Sequence, residues 1–169
     1  MVFHIGEKVV YPNQGVGTIE NISSRCFGTE FQKYYLLRFV YSSTTVLVPF
    51  SNVKDIGLRR ITNQAEMSRI LSFLASGSCR FSQDWKCRFK ENTEKMQSGS
   101  LLHAAEVLKT LLQLQATKLL SFREKKMLDR ARHMLITELA ITRQIDEGEA
   151  RQVLERALAK ASLRLPEQL

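Results

Sequence analysis

The apolar residues of this chain change their period near Arg60, and that change constrains the fold more than any other feature. Before it, apolar and β-branched residues come in short runs between turn residues; after it, they recur every three to four positions. A sheet with interleaved helices would alternate the two patterns along the chain. A run of strands and then a run of helices instead predicts an α+β protein, a small barrel of the Tudor or SH3 kind followed by an all-α bundle of about five helices. The expected division is 1–60 and 61–169.

Within the first part, Lys8–Tyr11 reads as a short strand and Pro12-Asn-Gln-Gly15 as a turn. Val16–Ile22 alternates loosely, Phe27-Gly28-Thr29 serves as a connection, and Phe31–Val40 is aromatic and apolar. Tyr41-Ser-Ser43 reads as a polar turn, Thr44–Val48 as the strongest β run, ended by Pro49, and Val53–Ile56 as a last short strand.

In the second part, Asn63-Gln-Ala-Glu66 has a capping-box pattern ahead of Met67, Ile70, Leu71 and Leu74. Ser76-Gly77-Ser78 ends that helix. Ser82 or Asp84 caps a second, with Trp85 and Phe89 one turn apart, and Ser98-Gly99-Ser100 breaks it. Leu101–Leu119 continues as helix with a stripe from Leu101 to Leu119. Ser121-Phe-Arg-Glu124 is a capping box for a helix carrying Met127, Leu128, Ala131, Leu135 and Leu139. Asp146 caps a last helix with Ala150, Val153, Leu154, Ala157 and Leu158 inward, and residues from about Leu163 are expected to fray.

Composition narrows the function. Apolar residues are 44% and charged residues 25% of 169, as in a folded globular protein. The formal net charge is +8, which favours a polyanionic partner. The excess is uneven: Lys118–Arg132 holds six basic residues against two acidic ones. No apolar run reaches the roughly 20 residues a membrane span requires, and Gly6, Glu7 and Lys8 interrupt any leader-like core at the N-terminus. Three cysteines without a CxxC spacing fit a reduced, cytoplasmic protein.

Catalytic chemistry finds little support, and no enzyme, cofactor or metal is expected. His4, His103 and His133 fall in different elements, and Cys79 and Cys87 have no histidine nearby to complete a zinc set. Cys26 lacks a recognisable base and reads as a small strand residue. Gly15-Val-Gly17 resembles a phosphate loop, but strand residues rather than a helix follow, so these glycines read as turn and strand-twist positions. The helical acids have basic residues at helical spacing and read as solvated pairs.

The stretch Asp84–Lys95 holds the only tryptophan among Lys86, Arg88, Lys90 and Lys95. Cations that neutralise phosphates beside a ring that can enter a distorted minor groove suit DNA. Trp85 packed on Phe89 in the core, with the lysines as ordinary surface, accounts for the same residues. Arg123, Lys125, Lys126, Arg130 and Arg132 in the fourth helix allow the same two readings, phosphate contact or a solvated face. Thr44–Val48 either pairs with a partner's strand at a sheet edge or is fully paired within the barrel.

Several motifs together resemble one family. Val2-Phe-His-Ile-Gly-Glu-Lys-Val-Val-Tyr-Pro-Asn-Gln-Gly-Val-Gly17 resembles the F-x-x-G-D/E-x-V-V-Y-P-x-x-G-V-G opening of the bacterial CarD/CdnL transcription factors. Val48-Pro49 and Val53-x-x-Ile-Gly-Leu-Arg59 resemble the end of the same module. Trp85-x-x-Arg88-Phe-Lys90-x-Asn92-x-Glu94-Lys95 and Leu120-Ser-Phe-Arg-Glu-Lys-Lys-Met-Leu-Asp-Arg-Ala-Arg132 resemble the family's helical signatures, the second an L-S-x-x-E-K-x-M-L-x-x-A-R pattern. The opening motif also occurs in the polymerase-binding module of transcription-repair coupling factor, a helicase. The helical motifs exclude that reading.

The resemblance implies a module that binds the β subunit of RNA polymerase by edge-strand pairing, through Arg25 and through Thr45, Val46, Leu47 and Val48. Where some relatives carry Arg in this strand the chain has Leu47, so the contact rests on backbone pairing, Arg25 and apolar contact. The resemblance also implies a helical domain on promoter DNA at the upstream edge of the melted −10 region. There Trp85 wedges into the minor groove, and Lys86, Arg88, Lys90, Lys95 and Lys125 hold phosphates. The expected protein is a monomer that stabilises the open complex, associated with the nucleoid through polymerase. The runner-up is a general nucleic-acid-binding protein that acts without polymerase.

Overall fold

The computed structural model describes residues 2–40, 42–76 and 79–167. Tyr41 of the expected turn and Gly77 and Ser78 of the expected helix end lie outside the described residues. The chain divides into two compact units, Met1–Ile61 and Thr62–Leu169.

The first unit is an antiparallel sheet of five strands in the order β4-β3-β2-β1-β5. These are β1 (Lys8–Tyr11), β2 (Gly15–Phe27), β3 (Glu30–Phe39), β4 (Thr45–Pro49) and β5 (Arg59–Arg60). β2 runs five residues past the expected Ile22, and with β3 it forms a long hairpin joined by Gly28-Thr29. The loose alternation in β2 has a cause. The register slips between Ile19, opposite Leu37, and Asn21, opposite Leu36. Glu20 is the extra residue, and it moves the inward positions from Ile19 to Ile22. Gly17 leaves its space to the buried Leu37 of β3: a Cβ there would lie 2.8 Å from Leu37 Cδ1.

The core of this unit gathers Phe3, Val9, Ile19, Tyr35, Leu37, Phe39, Val48, Val53 and Leu58. Tyr35 is its hub. Its ring stacks on Phe50 with centroids 4.1 Å apart, and its hydroxyl accepts a 3.1 Å hydrogen bond from the Phe3 amide. The amphipathic tyrosine thus buries its ring and satisfies its polar end.

Val53–Ile56 is not a strand. It is a single helical turn, α1, that follows a 3-10 turn at Phe50–Asn52. Four residues with apolar ends fit either period, and the residue after them decides. Gly57 takes a left-handed φ of 81°, which lets the amides of Gly57 and Leu58 reach the Val53 carbonyl at 3.1 and 3.2 Å. Val53 and Leu58, brought together by this cap, are both buried. The last strand is instead β5, with Arg60 opposite Val9 and Arg59 opposite Val10.

The second unit is a bundle of α2 (Gln64–Ala75), α3 (Trp85–Gln97), α4 (Leu101–Gln115), α5 (Phe122–Arg143) and α6 (Glu147–Lys160). Each begins at a side chain that accepts from the backbone two or three residues on: Asn63, Asp84, Ser100, Ser121 and Asp146. Such a cap contributes about 1 kcal/mol. At the start of α3, Asp84 is the cap rather than Ser82. α4 is buried on nearly every side rather than along one stripe, and it forms the centre of the bundle.

Leu119 does not join that stripe. α4 stops at Gln115, and Leu119 is 90% exposed in the connection to α5. Residues 163–166 are held rather than frayed: Leu165 is buried in the core, and the Pro166 carbonyl accepts a hydrogen bond from Arg132.

Two buried polar ties were invisible in the periodicity. The Lys109 ammonium donates to the carbonyls of Phe73 and Ser76 at the end of α2, where a cation opposes the helix dipole. One oxygen of the buried Glu138 carboxylate accepts from both the amide (2.7 Å) and the hydroxyl (2.6 Å) of Thr62.

Candidate functional site

In the first unit the candidate residues lie on β4 and on the β2–β3 hairpin. β4 pairs with β3 through Arg38–Thr45, Leu37–Val46, Leu36–Leu47 and Tyr35–Val48. It is an end strand in the sheet order, so among the described residues its other edge has no strand beside it. The side chains are unequal. Val48 is buried, and Val46 packs against the core. Val48 therefore presents mainly backbone at this edge, while the half-buried Val46 divides its side chain between the core and the surface. Thr45 and Leu47 alternate onto the outer face.

Arg25 pairs with Gln32, and the last rung of β4 is Pro49 opposite Tyr34. Arg25 is thus exposed on the hairpin beyond the end of β4. By register it shares the outer face with Leu47, because Asn21–Leu36–Leu47 and Ser23–Tyr34–Pro49 lie in rows that continue to Arg25. Cys26 is in the strand as expected, but exposed rather than packed.

In the second unit the candidates gather where α3 and α5 begin. Trp85 is the first residue of α3 and is 58% exposed. It does not pack on Phe89 in the core, which overturns that reading. The Lys86 ammonium sits 5.9 Å from the indole centroid, and Lys90 is exposed one turn further along the same side.

Arg88 behaves differently. It is 1% exposed, and its Nε lies 3.2 Å from Glu124 Oε2. Its Nη1 donates to the Ser82 carbonyl at 3.1 Å and to the Gln83 carbonyl at 3.5 Å. This guanidinium has no free face for a phosphate, so the expectation that Arg88 contacts DNA is corrected. Its position explains something else. It fixes the two residues before the Asp84 cap, and with them the place from which Trp85 projects. Glu124 uses its other oxygen, Oε1, to bond the Ser121 hydroxyl at 3.1 Å. The capping box was legible; its second duty was not, because nothing local links Glu124 to a residue 36 positions earlier.

The other cations also divide. Lys95 is ion-paired with Glu106 of α4 at 3.2 Å. Lys125 is half-buried, while Lys126 and Arg123 are exposed. Arg132 is buried, held by Asp129 and the Pro166 carbonyl, so it too leaves the set of phosphate candidates. Burial pushes the Cys79 thiol above its ordinary value, and a hydrogen bond with Asp84 does the same for Cys87. Both thiols stay protonated near neutral pH, which makes them poor nucleophiles. Among the described residues no helix is long and apolar enough to cross a membrane.

Both units match known domains, in chain order. Residues 3–62 match the CarD-like/TRCF RID domain, and residues 69–155 match the CarD C-terminal domain. The chain is 36% identical over 148 residues to the protein named "Putative transcription factor YdeB" of Bacillus subtilis (strain 168), covering 88% of this chain and 97% of that one. Among solved structures, it is similar to CdnLNt from Myxoccoccus xanthus, at 33% identity over 38% of this chain and 90% of that one, with a TM-score of 0.33. With a β module and a helical domain each matched in order, the chain belongs to the CarD family and is a CarD-like transcription factor.

Proposed function

We propose that the protein stabilises the promoter open complex, with the β4 edge bound to the β subunit of RNA polymerase and the α3/α5 face on DNA at the upstream edge of the bubble. The observation that carries this reading is Trp85. A large ring held 58% exposed on the first turn of a helix has no role in the bundle core. It is flanked by Lys86 and Lys90 and aimed by a buried ion pair behind it. A ring so placed fits a DNA step that is already partly unstacked, while the lysines neutralise the flanking phosphates. Phosphate contacts position without reading bases, so the protein acts by junction geometry more than by sequence. Such a factor works only by holding the open state more tightly than the closed one.

On the first unit, strand addition to β4 fits a partner read mainly through backbone, since Val46 and Val48 turn inward. Thr45, Leu47 and, further along the same face, Arg25 supply the side chains.

The test is the lifetime of a heparin-challenged open complex formed with purified bacterial RNA polymerase. The protein lengthens it. Trp85→Ala removes most of that effect, a loss of about 1–3 kcal/mol, with polymerase binding unchanged. An unaltered lifetime in the variant removes the wedge and leaves a tethering role. Binding to duplex DNA but not to polymerase favours a nucleic-acid protein that acts alone.

A further inference from the structure

The exposed surface of the helical unit does not end at Trp85. Phe122, the first residue of α5, is 66% exposed, and Leu119 just before it is 90% exposed. The Lys126 ammonium sits 4.6 Å from the Phe122 ring centroid, and the Arg123 guanidinium lies 5.9 Å from the ring of Phe89 on α3. Phe89 is one turn from Trp85. The Arg123–Phe89 contact therefore joins the two helix starts into one surface of rings each with a cation against it. The acidic groups nearby are engaged: Glu124 holds Arg88 and Ser121, and Asp84 caps α3. Phe122 and Arg123 fall at the two open positions of the L-S-x-x-E-K pattern, so the family resemblance assigns them nothing.

We infer that Phe122 and Lys126 form a second DNA contact, a clamp on the sugar–phosphate backbone beside the strand junction that Trp85 occupies. The inference rests on the proposed reading of Trp85 and extends it. The two halves of the pair suit the two halves of that ligand. One face of the ring carries the ammonium and is closed to a base, while the rest is open to a deoxyribose. The ammonium, held beside the ring, neutralises the adjoining phosphate. Charge selects the partner, since each of the three rings has a cation against it. An acidic protein would need its own complementary apolar surface, whereas the DNA backbone alternates sugar and phosphate.

The experiment measures binding of the full chain to a labelled fork-junction DNA across a salt series, with wild type, Trp85→Ala, Phe122→Ala, Phe122→Tyr and Lys126→Ala. Phe122→Ala is expected to weaken binding roughly fivefold, while Phe122→Tyr, which keeps the ring, retains it. Lys126→Ala is expected to reduce the slope of log affinity against log salt by about one. Because Phe122 is exposed, the variants should keep the wild-type circular dichroism. If Trp85→Ala weakens binding and Phe122→Ala does not, the clamp is overturned and the wedge stands. If the wild type does not bind the fork, both fall. If Phe122→Ala instead loses binding only to phosphatidylglycerol vesicles, the surface faces a membrane and the inference is wrong.

Discussion

The β4 edge and the α3/α5 face solve recognition in opposite ways. At β4 the inward residues Val46 and Val48 serve the core, and what is offered outward is backbone plus the modest side chains of Thr45 and Leu47. At α3 the backbone is consumed by the helix, and what is offered is side chains, with Trp85 placed by the buried Arg88–Glu124 pair behind it. A backbone site tolerates substitution; a side-chain site depends on its supports. The difference predicts where each fails.

The support should fail hardest. Arg88→Ala leaves Glu124 with a carboxylate oxygen buried and unpaired, and removing one partner of a buried pair costs about 3–5 kcal/mol. Urea denaturation followed by the fluorescence of the only tryptophan, on α3 itself, reads this loss directly. The double variant Arg88→Met/Glu124→Leu should recover part of it. A stability loss near zero for Arg88→Ala, with DNA affinity reduced, would return Arg88 to the phosphate contacts and break the comparison on its helical side.

A smaller effect is expected at the edge. Leu47→Ala and Thr45→Ala should each weaken polymerase binding by less than tenfold, about 1 kcal/mol or below, in a pull-down titration. If either abolishes binding, β4 is a side-chain site after all. Smallest of all is Lys95→Ala. A partly exposed pair with Glu106 contributes about 0.2–1 kcal/mol, and fork-DNA affinity should hardly move. A marked loss of affinity would show that Lys95 leaves Glu106 to reach phosphate.

What could be read from sequence follows the range of each interaction. The caps at Asn63, Ser121 and Asp146 are local chemistry within three residues, and they lie where the sequence places them. The β-to-α order follows from period alone. Val53–Ile56 is too short to carry a period, and only the left-handed Gly57 cap decides between helical turn and strand. Leu119 kept the helical spacing of α4 past the point where the chain leaves the bundle. Arg88 and Arg132 are the instructive errors. Sequence reports that a residue is charged, not that it is buried, and the partners that bury them, Glu124 and Pro166, stand 36 and 34 residues away. Trp85 was legible as a ring among cations, but its exposure depends on those distant pairings.

The tie between Arg132 and Pro166 also sets an order in time. A chain leaving the ribosome completes residues 1–61, with their own core, well before the tail exists. The middle of α5 is then made carrying a guanidinium whose carbonyl acceptor lies 34 residues downstream. Until Pro166 emerges, that cation keeps Asp129 but lacks this acceptor as the helices close around it. The helical unit therefore completes this tie only after the β module has its whole core, and a chain cut before Pro166 would join a sound β module to a bundle that lacks this acceptor.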